Sequence, residues 1–203
     1  MREICRYHLA DEDVVAHARA LLGTRIVATD SSGVETVGRI VETEAYRGAD
    51  DKASHAYPLK RTPRTEVFFG EPGHAYVYLC YGIHRMFNVI TGPVGTPNAV
   101  LVRAIEPLSG IEAMLKRREL TRVQRRVGGG PGLVCQALGI GLDDNASDLF
   151  DGASRVRLSG VFGGHSPKQV IASPRVGIPY AEECAAWPWR FRIAGNGFTS
   201  PAR

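Results

Sequence analysis

The sequence predicts one α+β domain, a curved and mostly antiparallel β-sheet flanked by helices and carrying a protruding β-hairpin. Three observations lead there. Short segments with period-two hydrophobicity dominate the chain, separated by Gly, Pro, Asn and Asp turn signals. Helical segments are short and few. No linker, repeat or compositional break divides residues 1–203, an ordinary length for a single domain.

Taken in order, Asp11 as an acidic N-cap followed by Val14, Val15, Ala18, Leu21 and Leu22 predicts a first helix, stopped by Gly23. Two alternating strands follow, 24–30 and 34–46, joined by a hairpin turn at Ser31-Ser32-Gly33. Strict alternation in the second places Ile40, Glu42, Glu44 and Tyr46 on one face and Val41, Thr43 and Ala45 on the other. Carboxylates therefore share a face with Ile40. Residues 47–66 have no periodicity, and loops of that length inside a domain are commonly functional.

Residues 75–81, a Gly82-Ile83 turn and residues 86–90 form an aromatic-rich hairpin. The next strand, 99–105, sets Arg103 on one face with Leu101 and Ile105. Ser109 and Glu112 have capping-box spacing at the start of a helix. That helix runs into 116–126, with six cations and one acid, which reads as an outward polyanion-facing patch or a solvated helix face, followed by the glycine-rich run 128–132 and a short helix at 133–138. Strands at 155–161 and 169–172, a short helix at 181–186 and an alternating segment at 189–193 complete the chain.

Composition excludes several classes. A hydrophobic content of 44%, a charged content of 23% and a mean hydropathy of -0.12 are globular values. No apolar run reaches bilayer-spanning length, and the first residues lack a signal-peptide order, which points to a reducing, cytoplasmic location without membrane association. Cys5, Cys80, Cys135 and Cys184 are scattered and read as reduced packing residues. No zinc-deaminase, H-E-x-x-H, P-loop or G-x-S-x-G pattern is present, so no metal and no cofactor is expected. Of the 25 cations only Lys52, Lys60, Lys116 and Lys168 are lysines. Arginine forks grip phosphate bidentately, and a GC-rich genome would produce the same bias. The glycine-rich run, with Gly130 and Gly132, reads equally as an amide cradle for one phosphate or as a plain loop.

What remains is a set of polar and aromatic residues in otherwise apolar strands: Glu42, Glu44, Tyr46, His55, Tyr76, Tyr78, Tyr81, Asn88 and Arg103. Singly, each is ordinary. Together, a carboxylate, a cation and several π faces are what a pocket needs to sandwich a flat heterocycle and activate water beside it.

Residues 39–46, His55, Thr62-Pro63-Arg64, Pro72-Gly73, Tyr76-Val77-Tyr78, Tyr81-Gly82, Asn88 and 102–107, continuing through 130–138 and 175–178, resemble the alkyladenine (3-methyladenine) DNA glycosylases of the mammalian type. The resemblance covers most of the chain in order. It implies a monomeric α+β enzyme that flips and excises alkylated or deaminated purines from double-stranded DNA: 3-methyladenine, 7-methylguanine, hypoxanthine and ethenoadenine. By the same resemblance Glu44 is the general base for water and Arg103 lies beside that water and the phosphodiester. Tyr46, His55 and Tyr78 form the walls around the base, Asn88 opposes the exocyclic amine of guanine, and Tyr81 enters the minor groove. Aromatic walls attract cationic alkylated purines. Alternation alone leaves Glu42 and Glu44 equivalent; only the resemblance prefers Glu44.

Two departures stand out. Ile83 and His84 replace larger side chains beside Tyr81, and the lysine common near 131–133 is missing, which leaves phosphate contact to backbone amides or to Arg125 and Arg126. The absence of a long polar N-terminal tail favours a bacterial source. None of the four lysines is placed by motif to form a Schiff base, so hydrolysis by water is expected. Two other readings keep the same residues: a non-catalytic module for damaged DNA, and an enzyme acting on free nucleosides.

Overall fold

The computed structural model of the protein describes residues 2–200. In chain order the elements are β1 (Arg2–Glu3), α1 (Val14–Ala20), β2 (Arg25–Thr29), β3 (Glu35–Arg47), β4 (Ala75–Cys80), β5 (His84–Thr91), β6 (Asn98–Ser109), α2 (Ile111–Arg117), α3 (Pro131–Leu138), β7 (Val156–Ser159), β8 (Val161–Phe162), β9 (Val170–Ser173) and β10 (Arg190–Ile193). The strands pair antiparallel throughout, as an eight-stranded sheet with path β4-β5-β6-β3-β10-β9 and a separate β1-β8 pair. This is the expected α+β architecture. Among the described residues no helix is long and apolar enough to cross a membrane.

The thirteen-residue β3 is the spine. One edge pairs with β6 from Val37 to Arg47; the other pairs first with β2, up to Arg39, and then with β10 at Glu42–Glu44. The exchange of partners coincides with an irregularity in register: Ile40 opposes Ile105 and Glu42 opposes Ala104, so Val41 is an extra residue on β3. A bulge of this kind reverses which face subsequent side chains take. Ile40 therefore packs in the main core with Ala45, while Thr43 donates from its hydroxyl to the Ala18 carbonyl of α1. Glu42 and Glu44 point the other way. The expected alignment of the carboxylates with Ile40 is overturned by this bulge. A compensating irregularity on β6 puts Arg103 with Leu101 on the cavity face and Ile105 in the main core, so Arg103 and Ile105 do not share a face.

The main core lies between one face of the sheet and the helices, uniting Ile40, Phe87, Val100, Val102 and Ile105 with Leu21, Leu22, Met114, Val134 and Leu138. Each fully buried Leu, Ile or Phe contributes about 1.5–3 kcal/mol relative to exposure. The opposite face is covered by the loop after β3, a 3₁₀ turn at Glu66–Phe69 and the chain between β9 and β10, which make two smaller apolar clusters. The aperiodic loop thus forms the second wall of the domain.

Four local expectations change. Asp13, not Asp11, caps α1, accepting from the Ala16 amide at 2.9 Å. Ser109 is paired with Val37 in the sheet and makes no capping box; Gly110, with φ +66°, starts α2 instead. Arg117 belongs to no outward basic face, because its guanidinium bridges Asp30 at 2.6 Å and the Ala137 carbonyl at 3.0 Å. All four cysteines are free, but only Cys135 and Cys184 are buried; Cys5 is exposed and Cys80 half-buried.

A Cβ on Gly110 would stand 2.3 Å from the Glu35 carbonyl oxygen, in a left-handed backbone. Gly110→Ala is expected to destabilise the fold by about 2 kcal/mol or more, read as a lowered midpoint in denaturant unfolding at unchanged slope.

Candidate active site

On the face opposite the helices, β3, β4, β5 and β6 and the two covering segments enclose a cavity of about 400 Å³. That is within the range of small-ligand sites. Of the residues singled out in the sequence, Tyr46, His55, Tyr76, Tyr78, Tyr81, Asn88 and Arg103 all line it. Period two explains the assembly: Tyr76 and Tyr78 alternate on β4, Asn88 opposes Tyr76 across the hairpin, and Leu101 and Arg103 alternate on β6.

The aromatic wall is preorganised. The rings of Tyr76 and Tyr78 are stacked with centroids 5.2 Å apart, and His55 meets Tyr78 edge-on at 4.6 Å. The Tyr76 hydroxyl accepts from Arg64 Nε at 3.2 Å and lies 3.0 Å from His55 Nδ1, to which it can give its own proton, leaving the imidazole proton on Nε2. Burial and the charge of Arg64 lower the His55 pKa to about 4. Arg64 also sits 5.2 Å from the Tyr78 ring centroid, so a guanidinium already rests on one of the faces expected to attract a cationic base. The Asn88 side-chain amide donates to the Tyr76 carbonyl at 3.1 Å, which fixes its orientation.

Behind this wall lie the two carboxylates, and here the structure separates what alternation left equal. Glu42 accepts from Arg103 Nε at 3.0 Å, Arg190 Nε at 2.7 Å, the Ser200 amide at 2.8 Å and the Ser200 hydroxyl at 2.9 Å. Burial alone would raise its pKa, but the Ser200 bonds and the charges of Arg103 and Arg190 outweigh that and hold it below the usual carboxylate range. Glu44 accepts from the Tyr46 hydroxyl at 2.8 Å, Arg103 Nη1 at 3.2 Å and the Val176 amide at 2.9 Å. An ionised carboxylate offers about four lone-pair sites. Among the described residues Glu42 has four donors, which fill its sites, and Glu44 has three, which leave one. Moreover, all three residues that hold Glu44 line the cavity, whereas Arg190 and Ser200 do not.

Glu44 itself is fully buried, one layer behind the surface of the cavity. Burial and the adjacent Glu44 charge raise the Tyr46 pKa, so the phenol stays protonated and donates. Arg103 remains a cation, because Glu44 and Glu42 outweigh the effect of its burial.

At the mouth stands the β4–β5 tip. Tyr81 and Gly82 both have positive φ, +51° and +73°, and the Ile83 amide returns to the Cys80 carbonyl at 3.1 Å. This turn holds Tyr81 88% exposed, with Leu79 and Ile83 beside it. Tyr180 faces solvent on the covering segment of the same rim.

The glycine-rich run is neither loose nor part of the cavity, which it reaches only through Pro131. A Cβ at Gly128 would stand 2.6 Å from Ile105 Cγ1, and one at Gly129 2.6 Å from the Arg125 carbonyl oxygen, so these glycines allow close packing against β6 and the preceding turn. Gly130 and Gly132 open α3. Arg125 and Arg126 are exposed and, among the described residues, have no acidic partner within ion-pair distance.

The sequence profile of the methylpurine-DNA glycosylase (MPG) family matches residues 8–197. The chain belongs to that family. It is therefore a DNA glycosylase, a hydrolase of N-glycosidic bonds that acts on damaged DNA. Curated relatives from Bacillus cereus (strain AH820) and Bacillus anthracis (strain CDC 684) are each 45% identical over 194 residues, covering 93% of this chain and 94% of theirs. Another from Bacillus cereus (strain ATCC 14579) is 46% identical over 201 residues. All three carry the provisional name 3-methyladenine DNA glycosylase.

Sequence reasoning missed Arg190, Ser200 and the Val176 amide. The signal for the first was available: Arg190 and Arg192 alternate in the last strand as Glu42 and Glu44 do in β3, and the two strands pair at these residues. A backbone amide leaves no such trace.

His55 takes up a proton in the unfolded chain near pH 6.5 and in the folded protein only near pH 4. Between those values the unfolded state binds more protons, so stability falls as pH drops through that window. An NMR titration of the His55 ring is expected to have its midpoint near 4, and His55→Gln to flatten the decline of stability between pH 6.5 and 4.

Proposed function

We propose that this enzyme excises alkylated and deaminated purines, among them 3-methyladenine, 7-methylguanine, hypoxanthine and ethenoadenine, from double-stranded DNA as a monomer without a cofactor. The damaged nucleotide leaves the helix and its base enters the cavity between Tyr46 and the His55–Tyr78 wall. Damage lowers the cost of that step, because a poorly paired base is easier to unstack. Tyr81, held out on its turn, fills the vacated place from the minor groove. The oriented amide of Asn88 presents an obstacle to the exocyclic amine of undamaged guanine. Arg125 and Arg126, with the amides of Gly130 and Gly132 at the start of α3, face the phosphate backbone.

The chemical step is a hydrolysis. Water bonds through its oxygen to C1′ of the flipped deoxyribose, its proton passes to Glu44, and the C1′–N9 bond breaks with its electron pair going to the purine. A cationic alkylated purine leaves as a neutral base. Arg103 stays charged throughout, orienting Glu44 and meeting the phosphodiester. The observation that carries the assignment is the one open acceptor site on Glu44, set against the four donors that fill Glu42. The names of the Bacillus relatives support 3-methyladenine as one of the substrates.

Glu44→Gln removes the proton acceptor and keeps the shape. With duplex oligonucleotides bearing single damaged purines, scored by alkaline cleavage of abasic sites, its base release is expected to fall by about 10²–10⁴-fold, with lesion binding retained. Wild-type rates in this variant, or no release by the parent enzyme from any of these lesions, would overturn the reading.

No lysine lines the cavity among the described residues, and the Lys52 pKa is raised by the hydrogen bonds it donates to Glu182 and Glu183, which keep it protonated. Borohydride in the reaction is expected to trap no enzyme–DNA adduct, and an abasic site to be the product. A trapped adduct would replace water by an amine in the mechanism.

A further inference from the structure

The Arg175–Asp51 ion pair is completely buried, with both side chains at 0% exposure. It lies outside the chemistry described above. Arg175 Nη1 donates to Asp51 Oδ2 at 2.5 Å and to the Ala45 carbonyl at 2.8 Å; Nη2 donates to Asp51 Oδ1 at 2.8 Å and to the Cys184 carbonyl at 3.1 Å. The guanidinium packs against two rings, 4.7 Å from the Tyr46 centroid and 5.4 Å from that of Trp189. Asp51 in turn accepts from the Ala53 amide at 3.0 Å. One side chain therefore joins the end of β3, the loop after it and the segment that follows β9.

Burying two charges costs several kcal/mol per ion unless hydrogen bonds compensate, and packed hydrophobic residues could serve stability as well. What hydrophobic residues could not supply is a fixed address for the next peptide group. The residue after Arg175 is Val176, whose amide donates to Glu44 Oε1. Val176 is itself partly exposed, and Gly177, with φ +78°, turns the chain away directly after it. The anchor is Arg175, bonded to β3 at Ala45, the residue next to Glu44. The terminal torsion of a glutamate is soft. Of the three donors to Glu44, the Val176 amide alone engages Oε1; Tyr46 and Arg103 both engage Oε2.

We propose that Arg175 is a positioning residue for base hydrolysis: paired with Asp51, it seats the Val176 amide on Glu44 and so fixes the plane of the carboxylate that receives the proton from water. This rests on the assignment of Glu44 as general base. Loss of the anchor lets the carboxylate rotate, which slows proton transfer and leaves the His55–Tyr78 side of the base-binding wall as it was.

The test compares single-turnover base release, lesion-DNA affinity and thermal stability in Arg175→Lys and Val176→Pro, with Glu44→Gln alongside. Arg175→Lys keeps the charge and loses the fork. Val176→Pro removes the amide donor and retains the Arg175 and Asp51 side chains, so it carries the test should Arg175→Lys not fold. Each is expected to slow base release by about 10–100-fold, with lesion affinity within about threefold of the parent. In Arg175→Lys the tryptophan emission shifts as well, since the guanidinium rests on Trp189. Unchanged release in Val176→Pro, or slowing matched by an equal loss of lesion affinity, overturns the proposal. If Glu44→Gln is impaired and Val176→Pro is not, the positioning role alone fails; if Glu44→Gln is fully active, the general-base assignment fails first.

Discussion

The buried charge network at the middle of β3 is the interaction on which the other features of the site depend. Glu42 and Glu44, both essentially inaccessible, are joined through Arg103, and Glu42 is also held by Arg190 from the neighbouring strand. Removing one member would leave an uncompensated buried charge, at a cost of about 3–5 kcal/mol. A network of this kind is a constraint before it is a catalyst. It requires β3, β6 and β10 to stand in one register, and it requires the bulge at Val41 that turns Glu42 and Glu44 away from the helices while Ile40 stays in the core.

From that constraint the different surroundings of the two carboxylates follow. The acceptor sites of Glu42 are filled, among the described residues, by two guanidiniums and by Ser200, which ties the end of the described chain to the sheet. Glu44, two residues on, is held by groups that belong to the cavity wall. Arg103 touches both and so links the core of the sheet to the site, while Tyr46 offers the cavity its ring and Glu44 its hydroxyl. The polar interior of this sheet is thus continuous with the chemistry at its surface.

The two faces of the sheet obey different rules. Toward the helices the side chains are apolar and the packing is that of an ordinary core. The other face is covered by chain without regular periodicity, and the cover brings His55 and Arg64 to the aromatic wall and Val176 to the carboxylate. Long aperiodic segments serve here because the cavity needs irregular backbone and single side chains at particular points, which neither period two nor period 3.6 supplies.

The α+β class, the hairpin with Tyr81 at its tip and the cavity side chains were legible in the linear pattern, because alternation and turn residues are local signals. Tyr46, Tyr78, Asn88 and Arg103 stood out as polar or aromatic positions in strands. Local signals failed where a distant segment decided: a bulge at the point where β10 takes over from β2 put Ile40 on the core face, and Gly110 replaced the Ser109 capping box because the sheet had already claimed Ser109. The choice between Glu42 and Glu44 is the clearest case. By itself the sequence determined that two carboxylates lie on one face of one strand; which of them keeps an open acceptor site was decided by Arg190, Ser200 and the Val176 amide. Those donors lie more than 130 residues away along the chain, and hydrogen-bond saturation depends on distances that only the folded chain defines.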